Sequence, residues 1–286
     1  MTLLVESIAS EAYRLTRNRM AVFWSVIFVP LLFVIGSVGY HMVTKSKTAE
    51  IAGKMDLSAT MGHAPLNLAE ALGQGAAMGA NGAILVFTLI GAATLYAGDY
   101  RWETWRLISA RNSRMNLILG KVAVFKLLAL AAMLAFLVAG VVGSISQAFV
   151  FERPVTFHME GADLGPFALT WLLSWVRIVQ YAMLALLTAT VTRSLLAALF
   201  VPVVVGFAQA FLGGPGIALL GWSPQDWQTQ LLLPGLAFDT LKAAVHEAAR
   251  MPEGLILKAA TSLILWTLVP LAGAIAWFQR QDLSKE

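Results

Sequence analysis

The chain alternates between long apolar runs and shorter polar segments. An α-helix needs about 20 mainly apolar residues to cross a bilayer core. Six runs meet this requirement, over residues 20–43, 80–97, 122–149, 167–191, 195–212 and 255–278. Because the runs are continuous and do not alternate with period two, the strands of a transmembrane barrel are excluded. The pattern predicts an all-α, polytopic membrane protein with six transmembrane helices in a single domain, 1–286.

The composition agrees with this class of protein. Hydrophobic residues make up 58% of the chain and charged residues 13%, against about 25% charged in soluble domains. The net charge of +4 is what basic cytoplasmic edges give a membrane protein, so it indicates no nucleic-acid partner. The absence of cysteine from the sequence excludes disulfides, thiolate nucleophiles and cysteine-ligated metals.

Two long segments between the predicted spans have different characters. Residues 44–79 are polar or small and predict an external loop, with a short helix near 67–72. Residues 213–254 are moderately apolar but interrupted by glycine and proline, which predicts an external or re-entrant segment. Within it, the spacing over 239–250 predicts an amphipathic helix at the external interface.

The first 19 residues predict an amphipathic helix that is too polar to span a membrane. Its apolar side would lie at the bilayer surface, with arginines near anionic headgroups. We find no signal-peptide pattern, because Glu6 and Glu11 interrupt the first apolar stretch and no small-residue cleavage site follows the first span.

Residues 98–121 form the most polar segment in the first two thirds of the chain. It holds four arginines with two tryptophans among them, more than a short connection between two spans requires. One interpretation is an amphipathic helix on the cytoplasmic surface that is presented to a partner. The other interpretation is that the arginines only orient the flanking spans. The spacing alone leaves both open.

The distribution of lysine and arginine predicts the orientation. Basic residues are densest in the short segments that lie on the same side as the N-terminus, and they are sparse in the long loops on the other side. By the positive-inside rule, both termini are cytoplasmic, in a plasma or bacterial inner membrane.

Arg177 lies well inside the fourth predicted span, where a charge costs at least about 2.5 kcal/mol. Carboxylates do not occur at a comparable depth in the other predicted spans. An anionic substrate group, backbone carbonyls or amide side chains would then have to satisfy it. The candidate amides are Gln147, Gln180 and Gln209, so Arg177, Gln180 and Gln209 are candidate residues of a substrate path. Alternatively, the span begins later and Arg177 lies at the outer interface beside Trp171 and Trp175.

Other classes of function have less support in the sequence. His63 has no second ligand at a metal-binding spacing, and His246-Glu247 lacks a second histidine four residues on, so no metal site and no catalytic residue are predicted. A stand-alone channel or secondary transporter would usually carry carboxylates within its spans. A non-transporting membrane subunit that signals or confers immunity remains open.

The order of these elements resembles the membrane subunit of ABC-2 type (type V exporter-like) ABC transporters. Three local patterns carry the resemblance: residues 11–19 before the first span, 99–104 followed by 111–114 and 120–121, and 231–234 with 278–283 around the last span. Two departures leave the start of the coupling helix open. Glu103 stands where glycine is common, and Asn112-Ser113 replaces a proline-containing turn.

The resemblance implies a permease that works with a separate ATPase subunit, and export is the expected direction of transport. Residues 1–19 would be the family's elbow helix, with Glu11, Arg14 and Arg17. Residues 98–121 would be the coupling helix that docks on the ATPase. The coupling residues would be Arg101, Glu103, Thr104, Arg106, Arg111 and Arg114. The resemblance also implies a second permease copy, and a homodimer is expected.

ATP and Mg²⁺ are expected in the partner subunit, and no cofactor in this chain. The pattern G-x-x-x-x-G-K-[ST] does not occur in the sequence, so ATP hydrolysis by this chain itself is not expected.

Overall fold

The computed structural model describes residues 2–55, 65–101, 105 and 112–282. Its helices include six that are long and apolar enough to cross a membrane, which confirms the all-α, six-span prediction. They are Arg19–Lys47, Gly82–Arg101, Arg114–Val150, Asp163–Thr192, Leu195–Leu220 and Leu255–Arg280.

The chain begins with α1 (Thr2–Arg17), and the first span follows after a one-residue break. This span consists of α2 (Arg19–Val22), a π-helical turn (Phe23–Ile27) and α3 (Phe28–Met55). Pro30 cannot donate a backbone hydrogen bond and its ring crowds the preceding turn. The wider π turn ends at Ile27 and contains Val26, the residue four positions before Pro30 whose carbonyl the ring would crowd. The helix continues beyond Val43 to Met55, into the segment expected to be an external loop.

The second span is preceded by a separate helix. Helix α4 (Leu68–Ala77) and helix α5 (Gly82–Arg101) are joined by a turn over residues 78–81. Both helices follow the same long neighbour, α6 (Arg114–Val150). Gly75 lies against Leu137 of α6, and Gly79 lies against Met133, four residues nearer the N-terminus of α6. Because Met133 lies near the middle of α6, the interruption between α4 and α5 also lies near mid-length.

Side chains from other helices satisfy carbonyl groups at the end of α4. The Ser174 hydroxyl donates to the Ala76 carbonyl at 3.0 Å, and Lys242 Nζ donates to the Ala77 carbonyl at 2.7 Å. A helix interrupted inside an apolar bundle needs such donors, because water is not available to replace them.

The centre of the bundle is the fourth span, α7 (Gly161–Thr192). In its most apolar window 67% of residues are buried, against 17% in the first and the fifth spans, which places those two at the periphery. A capping box of Glu160 and Asp163 starts α7, and Arg193 ends it in a left-handed conformation, φ 56°. The connection between α6 and α7 carries β2 (Val155–Thr156), which pairs in parallel with β1 (Leu66–Asn67).

The fifth span contains the predicted glycine break. Helix α8 (Leu195–Phe211) leads through a π-helical turn (Leu212–Gly216) into α9 (Ile217–Leu220). Gly214 has non-helical dihedral angles there, φ −99° and ψ −107°, so the helix axis is kinked. The sixth span is α12 (Leu255–Arg280).

The segment between α9 and α12 returns into the bundle. It contains α10 (Trp227–Leu232), α11 (Pro234–Glu247) and a 3₁₀ turn (Ala248–Arg250). Gly235 approaches the guanidinium of Arg177, at the middle of α7, and Trp266 of α12 donates to the Leu231 carbonyl at 2.7 Å. The sequence predicted a surface helix over 239–250. The helix instead begins at Pro234 and buries Ala237, Phe238 and Ala244.

Candidate functional site

Four charged side chains meet at the end of the bundle that carries the N-terminus, and we call them the ionic cluster. They come from three helices: Glu11 and Arg14 of α1, Asp99 of α5 and Lys121 of α6. Lys121 Nζ lies 2.5 Å from Asp99 and 3.1 Å from Glu11. Arg14 lies 2.5 Å from Asp99 and 3.0 Å from Glu11. Two acids and two bases therefore neutralise one another across the three helices.

Lys121 is the more deeply buried of the two basic residues in the ionic cluster. It is 1% exposed, and its ammonium also donates to the Leu95 carbonyl at 2.8 Å. A buried charge is tolerated only when it is paired and its remaining protons are bonded. The arrangement meets that demand, and it joins α1, α5 and α6.

Helix α1 packs against the bundle by a face that is partly polar. Ser7, Glu11 and Leu15 are all buried, and their spacing of four places them on one side of the helix. Arg17 lies on the exposed side, 5.2 Å from the ring of Tyr13. The sequence did not reveal this packing face, because Ser7 and Glu11 interrupt the apolar pattern that usually marks one.

Trp105 belongs to the segment between the second and third spans and is fully buried. Its ring lies 4.5 Å from that of Phe278 and 5.5 Å from that of Tyr100. Lys121 Nζ lies 5.1 Å from the same ring. Trp105 therefore connects the segment that holds the predicted coupling residues to the ionic cluster and to the last span.

Arg114 caps the end of the last span. Its Nη1 donates to the carbonyls of Phe278 at 3.0 Å, Gln279 at 3.0 Å and Gln281 at 2.7 Å. Gln281 in turn accepts a hydrogen bond from the Tyr100 hydroxyl at 2.9 Å. A cation at a helix C-terminus satisfies unpaired carbonyls and opposes the helix dipole, so Arg114 has a function within this chain.

The other predicted coupling residues are only partly described. Arg101 is the last residue of α5 and is exposed. The remaining four lie outside the described residues: Glu103, Thr104, Arg106 and Arg111.

The predicted substrate-path residues lie together in a second group, which we call the Arg177 cluster. Arg177 is 7% exposed and donates to Gln180 Oε1 and to the Tyr181 hydroxyl, both at 2.9 Å. The Tyr181 hydroxyl then donates to Gln209 Oε1 at 3.4 Å. Gln147 lies elsewhere, in a cavity of about 190 Å³ beside His41.

Two further charges of α11 adjoin the Arg177 cluster, and the sequence reasoning missed both. Burial raises the pKa of the Asp239 carboxyl above its ordinary value, while the nearby charges of Arg177 and Lys242 act in the opposite direction. Lys242 is bonded to the end of α4. The helical spacing of 239–250 indicated that Asp239 and Lys242 lie on one helix. It did not indicate that the helix returns to the middle of the bundle.

A close contact between α1 and α6 gives a first prediction. A Cβ atom added at Gly120 would lie 2.3 Å from Ser7 Oγ and 3.3 Å from the Ser7 carbonyl carbon. We expect Gly120→Ala to lower the free energy of unfolding by about 1–3 kcal/mol, because overpacking displaces α1. Gly98→Ala is the matched control, since its Cβ would meet open space. Chemical denaturation of both variants in detergent measures the difference, and equal stabilities would contradict the contact.

The fold and the two clusters define a class: a multi-pass helical membrane protein whose charged residues tie its helices together at one end and at mid-bundle. The family follows from comparison with known proteins. A family model described as ABC-2 family transporter protein matches residues 6–283, so the chain belongs to the ABC-2 family of transporter membrane proteins. Membership implies an ABC ATPase partner. No curated protein and no solved structure matches the chain significantly.

Proposed function

We propose that the chain is the permease subunit of an ATP-driven exporter and that the segment 98–121 docks on a separate ATPase subunit. Its cargo would pass through the membrane, and ATP and Mg²⁺ would bind the partner. In this proposal both termini are cytoplasmic, and two copies of the permease assemble with the ATPase subunits.

The ionic cluster is the observation that carries this proposal. The segment 98–121 begins beside Asp99 and ends at Lys121, and these two residues form a buried ion pair 2.5 Å apart. Glu11 and Arg14 join the same cluster from α1. A force applied between Asp99 and Lys121 would therefore act on α1, α5 and α6 together.

Trp105 and Arg114 extend the same connection to the last span. Trp105 packs against Phe278, and Arg114 holds the carbonyls at the end of α12. A docking segment that converts ATPase movement into helix movement needs such fixed contacts, since a loose loop would absorb the displacement.

Charge reversal at Arg106 tests the docking. Arg106→Glu should reduce the amount of ATPase subunit that co-purifies with the permease by about tenfold. In the proposal Arg106 faces acidic groups of the ATPase, and a glutamate at this position would be repelled by them. Arg114→Glu is a poorer choice, since it would also remove the cap of α12. Arg153→Glu, at the opposite end of the bundle, is the control.

The measurement is a pull-down from solubilised membranes in which both subunits are co-expressed, with the ATPase quantified against the permease. Unchanged recovery with Arg106→Glu would count against docking through this segment. The amount of permease in the same samples shows whether the variant itself is still present in the membrane.

A further inference from the structure

A cleft of about 420 Å³ lies at the end of the bundle that carries the N-terminus, where α7 and α12 end side by side. Val191 and Arg193 line it from the side of α7, and Trp277, Arg280 and Gln281 line it from the side of α12. Its volume falls within the range of small-molecule sites, about 300–1,000 Å³. It shares no lining residue with the ionic cluster or the Arg177 cluster, so it is a separate feature.

The apolar wall of the cleft begins where α7 and α12 stop covering each other. A Cβ atom added at Gly273 would lie 3.3 Å from Leu187, so the two helices are in close contact there. One turn further along each helix, Val191 is 45% exposed and Trp277 is 50% exposed. Both residues belong to membrane spans, and tryptophan is favoured at the level of the lipid headgroups. The wall is therefore open to the bilayer near its surface.

The polar edge of the cleft is basic. Arg193 and Arg280 both line it, and its lining residues include no carboxylate. Arg193 ends α7 in a left-handed conformation, and its guanidinium lies 6.0 Å from the ring of Tyr100. The guanidinium of Arg280 has no hydrogen-bond or ion-pair partner within the part of the chain that the structure describes. Asp282, the nearest acid in the sequence, is exposed and lies outside the lining.

Carbonyl groups at the C-terminus of a helix would repel an anion, but several of those beside the cleft already have donors. Arg114 binds the last carbonyls of α12. The side-chain amide of Gln281 donates to the Thr190 carbonyl of α7. These carbonyls therefore offset little of the positive charge that the two lining arginines bring to the cleft.

We propose that this cleft binds one anionic phospholipid from the adjacent leaflet. The phosphodiester would lie between the guanidinium groups of Arg193 and Arg280, since a guanidinium can bind two phosphate oxygens at once. The glycerol and the first acyl carbons would contact Trp277 and Val191. A membrane lipid suits the site better than an acidic segment of a partner protein, because the apolar wall belongs to the spans.

The source of the lipid follows from the proposed orientation. If this end is cytoplasmic, the adjacent leaflet carries the anionic lipids that attract basic residues near the surface. The site does not depend on coupling to an ATPase, and its test needs no partner subunit. Failure of the docking proposal would therefore leave this one standing, and the reverse.

Native mass spectrometry of the full-length protein in detergent measures the binding of single lipids. The probes are phosphatidylglycerol and phosphatidylcholine with identical acyl chains, so that only the net charge of the headgroup differs. We expect the first phosphatidylglycerol to bind at least about tenfold more tightly, because each nearby basic residue adds about fivefold.

Arg280→Gln should lower this preference by about fivefold. The fold should be retained, because the Arg280 side chain has no polar partner within the described residues. Arg19→Gln is the matched control: Arg19 is exposed at the same end of the bundle but does not line the cleft, and its loss should leave the preference unchanged. Arg193 is kept, since it ends α7 and contacts Tyr100.

Two further measurements test the position and the source of the ligand. Trp277→Ala should weaken the binding of both lipids by a similar factor, about threefold, and leave the preference between them unchanged. Glycerophosphoglycerol, the headgroup without acyl chains, should not displace the bound phosphatidylglycerol.

Four results would overturn the proposal. They are equal binding of the two lipids, a preference that survives Arg280→Gln or falls equally in Arg19→Gln, unchanged lipid binding in Trp277→Ala, and displacement of the lipid by the soluble headgroup.

Discussion

A Lys121→Met variant is expected to lose about 3–5 kcal/mol of unfolding free energy, the cost of breaking a buried ion pair from one side. Methionine fills a similar volume, so packing is largely retained. The variant nevertheless leaves the carboxylates of Asp99 and Glu11 in the bundle with only Arg14 between them. The Leu95 carbonyl also loses its donor.

Chemical denaturation in detergent micelles, followed by tryptophan fluorescence, measures this loss. Lys126→Met is the matched control: it lies on the same helix, where its ammonium is 5.9 Å from the ring of Trp175. The double variant Lys121→Met with Asp99→Asn should recover part of the stability, because it no longer buries the unpaired charge. A single variant as stable as the natural protein would show that the ionic cluster does not hold α1 to the bundle.

An Arg177→Met variant is expected to lose on the order of 3 kcal/mol of unfolding free energy, because Gln180, Tyr181 and Asp239 would each lose a charged partner. The effect should be local as well as global. Gly235 lies against the guanidinium, so the re-entrant helix α11 should open more often in the variant.

Hydrogen exchange followed by mass spectrometry measures this opening, with faster exchange expected over residues 234–247. Arg177→Lys is the informative comparison. It keeps the charge, but it cannot reproduce the two fixed hydrogen bonds of the planar guanidinium, so an intermediate result is expected. Unchanged exchange over 234–247 in Arg177→Met would contradict the role of Arg177 in holding the segment.

The membrane-spanning helices could be predicted because length and hydropathy alone decide whether a helix can cross a bilayer. The positions of the helix ends could be predicted less well from the sequence. α3 continues to Met55 through polar residues, since a helix that leaves the apolar region needs no apolar side chains. The helix before the second span was expected only as a short piece near 67–72, because Gly73, Gly75 and Gly79 weaken the apolar pattern there.

The charged contacts could not be predicted in the same way. Lys121 and Asp99 lie in the segment 98–121, which the sequence predicts at the cytoplasmic surface, and only the approach of α1 places them in a buried cluster. The grouping of Arg177 with Gln180 and Gln209 was among the alternatives open from the sequence. Tyr181 and Asp239 were not, because the re-entrant path of 227–247 depends on long-range packing. Whether the Arg177 cluster lies on a substrate path stays a prediction.

The interruption at residues 78–81 implies that two neighbouring helices would respond differently if one force tilted both. Helix α6 is continuous over 37 residues, about 55 Å at 1.5 Å per residue, so a tilt that started at Lys121 would be carried along the whole helix to Val150. The α4–α5 pair can bend at its joint and leave α4 behind. Such unequal travel would shear α4 along α6 where Gly75 meets Leu137.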